Sequence, residues 1–312
     1  MRSMLTILVF CILAGCKGDA KEGSAAQRTA TATSTGFNGS AAYNYAGAQV
    51  AFGPRVPGTP AAKQGGDWII RQMRARADTV IVQSFTYTTA DGKKLPLRNI
   101  LARFRPELPE RVLYVTHWDS RPISESATTE AEKKMPVPGA NDGASGVGMF
   151  VALGDALKRT RPNVGVDLLF TDGEDYGQFG PPEVDVLIGS KYFAKHLPSA
   201  DYKPLYGVLW DMIGDKDLRI PYEMFSFQRA PEVVSRVWQT AADLGYANIF
   251  VEESGGEVVD DHVPLLDAGL RVIDVIDLTY PPHHTPYDTM DKISAKSLAT
   301  VGDVATALVT RK

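Results

Sequence analysis

Runs of branched apolar residues alternate with helix-length stretches along most of this chain. Four runs, 112–116, 164–170, 206–209 and 272–276, are apolar almost throughout rather than alternating in and out, the pattern of parallel strands buried on both faces. Residues 144–158 place Val147, Phe150, Val151, Gly154 and Leu157 at helical spacing. Upstream, 80–87 and 97–104 flank Asp91-Gly92, a common hairpin turn pair. The segment 66–76, with Trp68, Ile69, Ile70 and Met73, is compatible with a helix against a core. Strands alternating with helices predict an α/β three-layer sandwich: a mixed, mostly parallel central sheet with helices on both faces.

The N-terminus does not belong to that pattern. Arg2 precedes an apolar run from 5 to 13, and Leu13-Ala14-Gly15-Cys16 follows, which resembles a bacterial lipoprotein signal. Cleavage after residue 15 would leave Cys16 to carry the lipid and the mature chain without a disulfide. The apolar run is well short of the ~20 residues of a spanning helix. An ordinary secretory signal or short anchor is the plainer alternative. Residues 16–45 are small and polar and read as a flexible tether, and 46–312 as one catalytic domain. The expected location is extracytoplasmic, lipid-anchored to a bacterial membrane.

Composition sharpens this only slightly. A chain of 312 residues with 44% hydrophobic content supports one large core. A net charge of -4 with no run of Lys or Arg gives nucleic acid no electrostatic footprint.

The chemistry sits just past the apolar runs. His117 and Asp119 follow the first of the four strands, Glu174 and Asp175 the second, and Asp211 the third. His284 comes after the last, and Asp142 lies in Gly-Ala-Asn-Asp-Gly ahead of a helix. Ligands bind beyond the carboxyl ends of strands in such sheets, so this is the layout of a metal site at one sheet edge. Singly, each residue has a plainer use: Asp142 as a helix cap, Glu174-Asp175 as a solvated turn, Asp260-Asp261 as another cap, His262 as a structural histidine and His283-His284 as a surface loop. Together, random caps would not gather at one end of one sheet.

Seven segments then carry a resemblance over 52–293: FGPRVPGTP (52–60), THWDSRP (116–122), PGANDGASGV (138–147), TDGEDYG (171–177), LWDMIG (209–214), DDHVPLL (260–266) and HTPYDT (284–289). The chain resembles the bacterial glutaminyl-peptide cyclotransferases, within the wider zinc aminopeptidase-like group. GANDGASG and HTPYDT are shared with the aminopeptidases, whereas DGEDYG and the Asp-Asp-His form of the later motif lean towards the cyclases. The resemblance implies that Asp142, Asp175 and His284 hold one Zn²⁺, that Glu174 is the general acid/base, and that Asp211 and Asp260 form a hydrogen-bonded acidic pair sharing a proton. The substrates it implies are peptide or protein N-termini. The alternative is an aminopeptidase in which His117 and Asp211 hold a second zinc with Asp142 bridging. A third reading is a zinc-bound lipoprotein that binds peptides without turning them over. Where the family usually has a tryptophan before the ligand histidine, this chain has His283, which places it in the substrate pocket. Phe179 is the candidate to replace a further tryptophan as an apolar wall.

Overall fold

The computed structural model describes residues 34–311, so the signal peptide, Cys16 and most of the tether lie outside the described residues. In chain order the elements are helices α1 Gly39–Val50 and α2 Pro60–Arg74, strands β1 Thr79–Thr88, β2 Lys94–Phe104 and β3 Arg111–His117, then α3 Ala144–Arg159, β4 Gly165–Thr171, α4 Ile188–Lys195 and β5 Tyr206–Asp211. There follow β6 Ile220–Tyr222, α5 Met224–Arg229, α6 Pro231–Asp243, β7 Phe250–Ser254, α7 His262–Asp267, β8 Val272–Ile276 and α8 Ala295–Thr310. Six strands form one sheet in the order β1-β2-β4-β3-β5-β8, while β6 and β7 pair separately. The four apolar runs are β3, β4, β5 and β8, all mutually parallel; β1 and β2 are the expected hairpin, and β2 alone runs against the rest.

Both faces are covered, which is why these strands show no polar alternation. Val112, Tyr114 and Leu168 turn towards a core completed by Phe150 of α3 and Val301 of α8. Leu113, Val115, Leu169 and Leu209 turn the other way, onto Phe193 of α4 and Leu265 of α7. Among the described residues, no helix is long and apolar enough to cross a membrane.

One boundary is corrected. The tether expected to reach residue 45 ends earlier, because α1 begins at Gly39 and buries Ala42 and Ala46 completely. Its small residues bring backbones together rather than filling space with large side chains. A Cβ at Gly148 of α3 would lie 2.4 Å from the Ala42 carbonyl oxygen, and one at Gly39 would lie 2.1 Å from the Ala295 carbonyl oxygen. Glycine at both positions is what lets α1 dock on α3 and α8, a use of small residues that composition alone cannot distinguish from a linker.

Candidate metal centre

Each site residue sits where a strand ends or a loop is tied down. His117 and Asp211 are the last residues of β3 and β5. The turn after β4 is held by Asp119, whose two carboxylate oxygens accept from the backbone N–H groups of Glu174 and Asp175 at 3.1 and 3.2 Å. The loop carrying Asp142 is fixed from two sides. Asp288 accepts from the N–H groups of Asn141 and Asp142, and the fully buried Arg55 donates to the carbonyls of Pro138 and Gly139 at 2.7 and 2.6 Å. Asp142 does not cap α3: Gly143, at φ 93°, takes the cap position with no side-chain bond, leaving the Asp142 carboxylate free to face the site. His284 adopts φ 55°, a left-handed conformation costly for a residue with a Cβ and a mark of local constraint.

The fold brings His284 between Asp142 and Asp175. The His284 Nε2 lies 3.4 Å from Asp175 Oδ1 and 3.6 Å from Asp142 Oδ2. Asp142 Oδ2 and Asp175 Oδ2 are buried with no hydrogen-bond partner. Two buried, unpartnered carboxylate oxygens beside an imidazole are expensive unless a cation completes them, and a mixed oxygen and nitrogen donor set fits zinc. Electrostatics reflect the crowding. Burial, then the Asp142 charge, raises the Asp175 carboxyl. Burial also works against ionising Asp142, but the His117 bond and the charges of His117 and His284 win and hold it below its ordinary value. Burial opposes protonation of His284, yet the neighbouring Asp175 and the Glu125 bond push it up to about 10.

Two partners were not singled out by sequence reasoning. Glu125 Oε1 lies 2.8 Å from His284 Nδ1, which leaves Nε2 to face the carboxylates. Arg121, although inside THWDSRP, had no assigned role. Its guanidinium donates to Glu125 Oε2 at 2.7 Å and to Asp175 Oδ1 at 2.6 Å, tying Asp175 and the support of His284 into one unit. Nothing in the sequence links position 125 to 284; only the fold does.

The remaining acidic residues cluster opposite. Burial first, and then the charge of Asp260, raises Glu174 well above the carboxylate range. Burial and Asp211 do the same to Asp260. Asp211 Oδ1 lies 3.1 Å from His117 Nε2, which also meets Asp142 Oδ1 at 3.0 Å. A positively charged imidazole between two carboxylates satisfies both. Accordingly His117 is raised well above its ordinary value: burial opposes this, and the charge of Asp211 leads the groups that overcome it. Donor atoms of His117, Asp142 and Asp211 all lie within 4.8 Å of one another. His262 is fully buried away from the cavity, with Nε2 3.1 Å from Glu223 Oε2.

The centre opens into a cavity of about 750 Å³ walled by Ile123, Phe179, Met212, Leu278 and His283, with Glu174 and Asp260 on its surface. Phe179 therefore faces the site, under the Arg121 guanidinium at 5.7 Å.

The chain is similar in both sequence and structure to known enzymes. Porphyromonas gingivalis glutaminyl cyclase is 37% identical with a TM-score of 0.84, the match covering 87% of this chain and 97% of that one. A Zn-dependent exopeptidase from Parabacteroides distasonis is 34% identical with a TM-score of 0.83, covering 88% and 99%. Among curated relatives, bovine glutaminyl-peptide cyclotransferase is 24% identical over 82% of this chain and 77% of its own length. The chain spans only 51% of aminopeptidase YwaD of Bacillus subtilis, to which it is 25% identical. Residues 99–309 match peptidase family M28. That stretch contains every strand and loop that supplies a residue to the metal centre, and the chain belongs to peptidase family M28.

Proposed function

We propose that this enzyme is a zinc-dependent glutaminyl-peptide cyclotransferase, converting N-terminal glutamine of peptides or proteins to pyroglutamate with release of ammonia. The observation that carries the reading is the pair of buried carboxyls, Glu174 and Asp260, both raised well above their ordinary range on the wall of a cavity beside the metal centre. Held by Asp142, Asp175 and His284, zinc would polarise the substrate's side-chain amide carbonyl. Glu174 takes a proton from the terminal amine as its nitrogen attacks that carbonyl, and returns it to the departing ammonia. A carboxyl raised by burial suits both halves of that exchange near neutral pH. Asp260, buried against Asp211 and Glu174, keeps a proton in reserve and lowers the charge density around the developing intermediate. Ile123, Phe179 and Leu278 present an apolar wall to the glutamine methylenes and keep water from the carbonyl, a requirement because cyclisation consumes none.

One observation favours a second reading, a metallo-aminopeptidase. His117, Asp142 and Asp211 are grouped closely enough to hold a second metal. Mass spectrometry of a glutamine-initiated peptide incubated with the zinc-loaded protein separates the two. Loss of ammonia at constant chain length supports the cyclase; loss of the first residue overturns it in favour of hydrolysis. Glu174→Gln should retain zinc and lose roughly 10²- to 10⁴-fold in rate. We also propose an extracytoplasmic, lipid-anchored location, supported by Leu13-Ala14-Gly15-Cys16, with lipid labelling abolished in Cys16→Ser as its check.

A further inference from the structure

His283 lines the cavity with an imidazole that the proposed reaction does not use. Its side chain is 43% exposed, and among the described residues its ring makes no hydrogen bond. Neighbouring residues in an extended loop normally point apart, but the left-handed backbone at His284 brings both imidazoles to one side, with ring centroids 3.6 Å apart. His283 Nε2 lies 3.9 Å from Asp142 Oδ2, the same unpartnered oxygen that His284 Nε2 approaches to 3.6 Å. Donor atoms of Asp142, His283 and His284 all fall within 4.8 Å of one another.

These separations can be compared with what zinc requires. Ligand atoms about 2.0 to 2.1 Å from a tetrahedral zinc stand roughly 3.3 Å apart. His284 Nε2 stands within a few tenths of an ångström of that from both Asp175 Oδ1 and Asp142 Oδ2, and His283, at 3.9 Å from Asp142 Oδ2, needs only a slightly larger movement of an exposed ring. Three protein ligands leave one position open, and His283 is an uncommitted nitrogen donor at its edge.

We propose that His283 is a fourth, displaceable zinc ligand. It closes the open position while the cavity is empty and swings back to the wall when the carbonyl of an entering peptide N-terminus replaces it. The inference rests on the assignment of Asp142, Asp175 and His284 as the zinc-holding set. It makes substrate binding a ligand exchange, so part of the intrinsic affinity for substrate is spent on opening the site.

The test uses the full-length protein loaded with one equivalent of zinc. Zinc dissociation constants are measured by chelator competition, and the number of bound imidazoles by X-ray absorption at the zinc edge, for the parent, His283→Ala, His283→Trp and His284→Ala. The expected result is two imidazoles in the parent and one in each His283 variant, with zinc weakened about tenfold or more in both. His283→Trp fills the cavity wall without offering a ligand atom, so equal weakening in the two variants separates ligation from packing. One imidazole in the parent, or unchanged zinc affinity in both His283 variants while His284→Ala loses zinc, overturns the proposal and leaves the three-ligand site intact. Unchanged affinity in His284→Ala overturns the site assignment itself.

Discussion

Gly146 lies in the first turn of α3, four residues after Asp142, and is decisive for where that carboxylate sits. A Cβ there would fall 2.0 Å from Thr116 Oγ1 and 2.8 Å from the Trp210 carbonyl oxygen. The Thr116 hydroxyl belongs to a buried, β-branched side chain, and the Trp210 oxygen to the backbone of β5, so neither yields cheaply. Relieving the Trp210 contact to an ordinary ~3.4 Å requires α3 to withdraw by about 0.6 Å, and the Thr116 contact, unless its hydroxyl rotates away, by about 1.4 Å. Asp142 rides immediately ahead of that helix, whereas Asp175 and His284 are carried by the loops after β4 and β8 and would stay. Zinc sites tolerate departures of only about 0.2 Å in ligand distance. Gly146→Ala should therefore weaken zinc by about tenfold or more and destabilise the fold by about 1 to 3 kcal/mol, even though alanine is intrinsically the better helix former by about 1 kcal/mol.

The control is on the same helix. A Cβ at Gly154 meets Arg76 Cδ at 3.0 Å and Met73 Cε at 3.3 Å, atoms of flexible side chains, and Arg76 Cβ at an ordinary 3.4 Å. Gly154→Ala should bind zinc normally and be neutral or slightly more stable. Urea denaturation and chelator competition on both variants give the answer. If Gly146→Ala matches Gly154→Ala in both measurements, the claim that close approach of α3 positions Asp142 is wrong.

Two further outcomes follow from neighbouring contacts. Zinc needs a neutral imidazole, and His284 is pushed up to about 10 in the metal-free protein, so a proton competes with the metal throughout the neutral range. Zinc affinity should rise about tenfold per pH unit from pH 6 to 9. In Glu125→Ala, which loses the bond that helps hold His284 protonated, the rise should level off at lower pH. A pH-independent dissociation constant, after correction for the chelator, would contradict this. Separately, Gly148→Ala should detach α1, exposing its backbone to faster hydrogen exchange at 39–50, because the new Cβ would meet the Ala42 carbonyl oxygen at 2.4 Å.

Much of the site was legible because its residues follow directly on strands. His117 and Asp211 end β3 and β5, so an apolar run of the right length announces each of them. The same reasoning located Glu174 and Asp175 through β4 and, with the family motifs, Asp142 and His284. What the chain did not show was pairing. His117 reaches both Asp211 and Asp142, a choice made by the distances between loop ends rather than by any spacing in the chain. Glu125 escaped notice because an exposed-looking glutamate in a polar loop carries no signal until the fold brings it to His284. Helix α1 escaped for the opposite reason: its alanines and glycines look like linker composition, and only Gly148 facing it on α3, with Gly39 against α8, shows that smallness was the means of docking.

The sequence by itself determined the sandwich, the run of parallel strands and the edge at which their acidic and imidazole side chains emerge. These depend on periodicity and chain order, which are local. The tertiary structure decided which carboxylate meets which histidine, which oxygens remain buried without partners, and how far the domain extends towards its N-terminus. Those outcomes depend on separations of a few tenths of an ångström between segments far apart in the chain, and hydrogen bonding, metal coordination and close packing all change over that range.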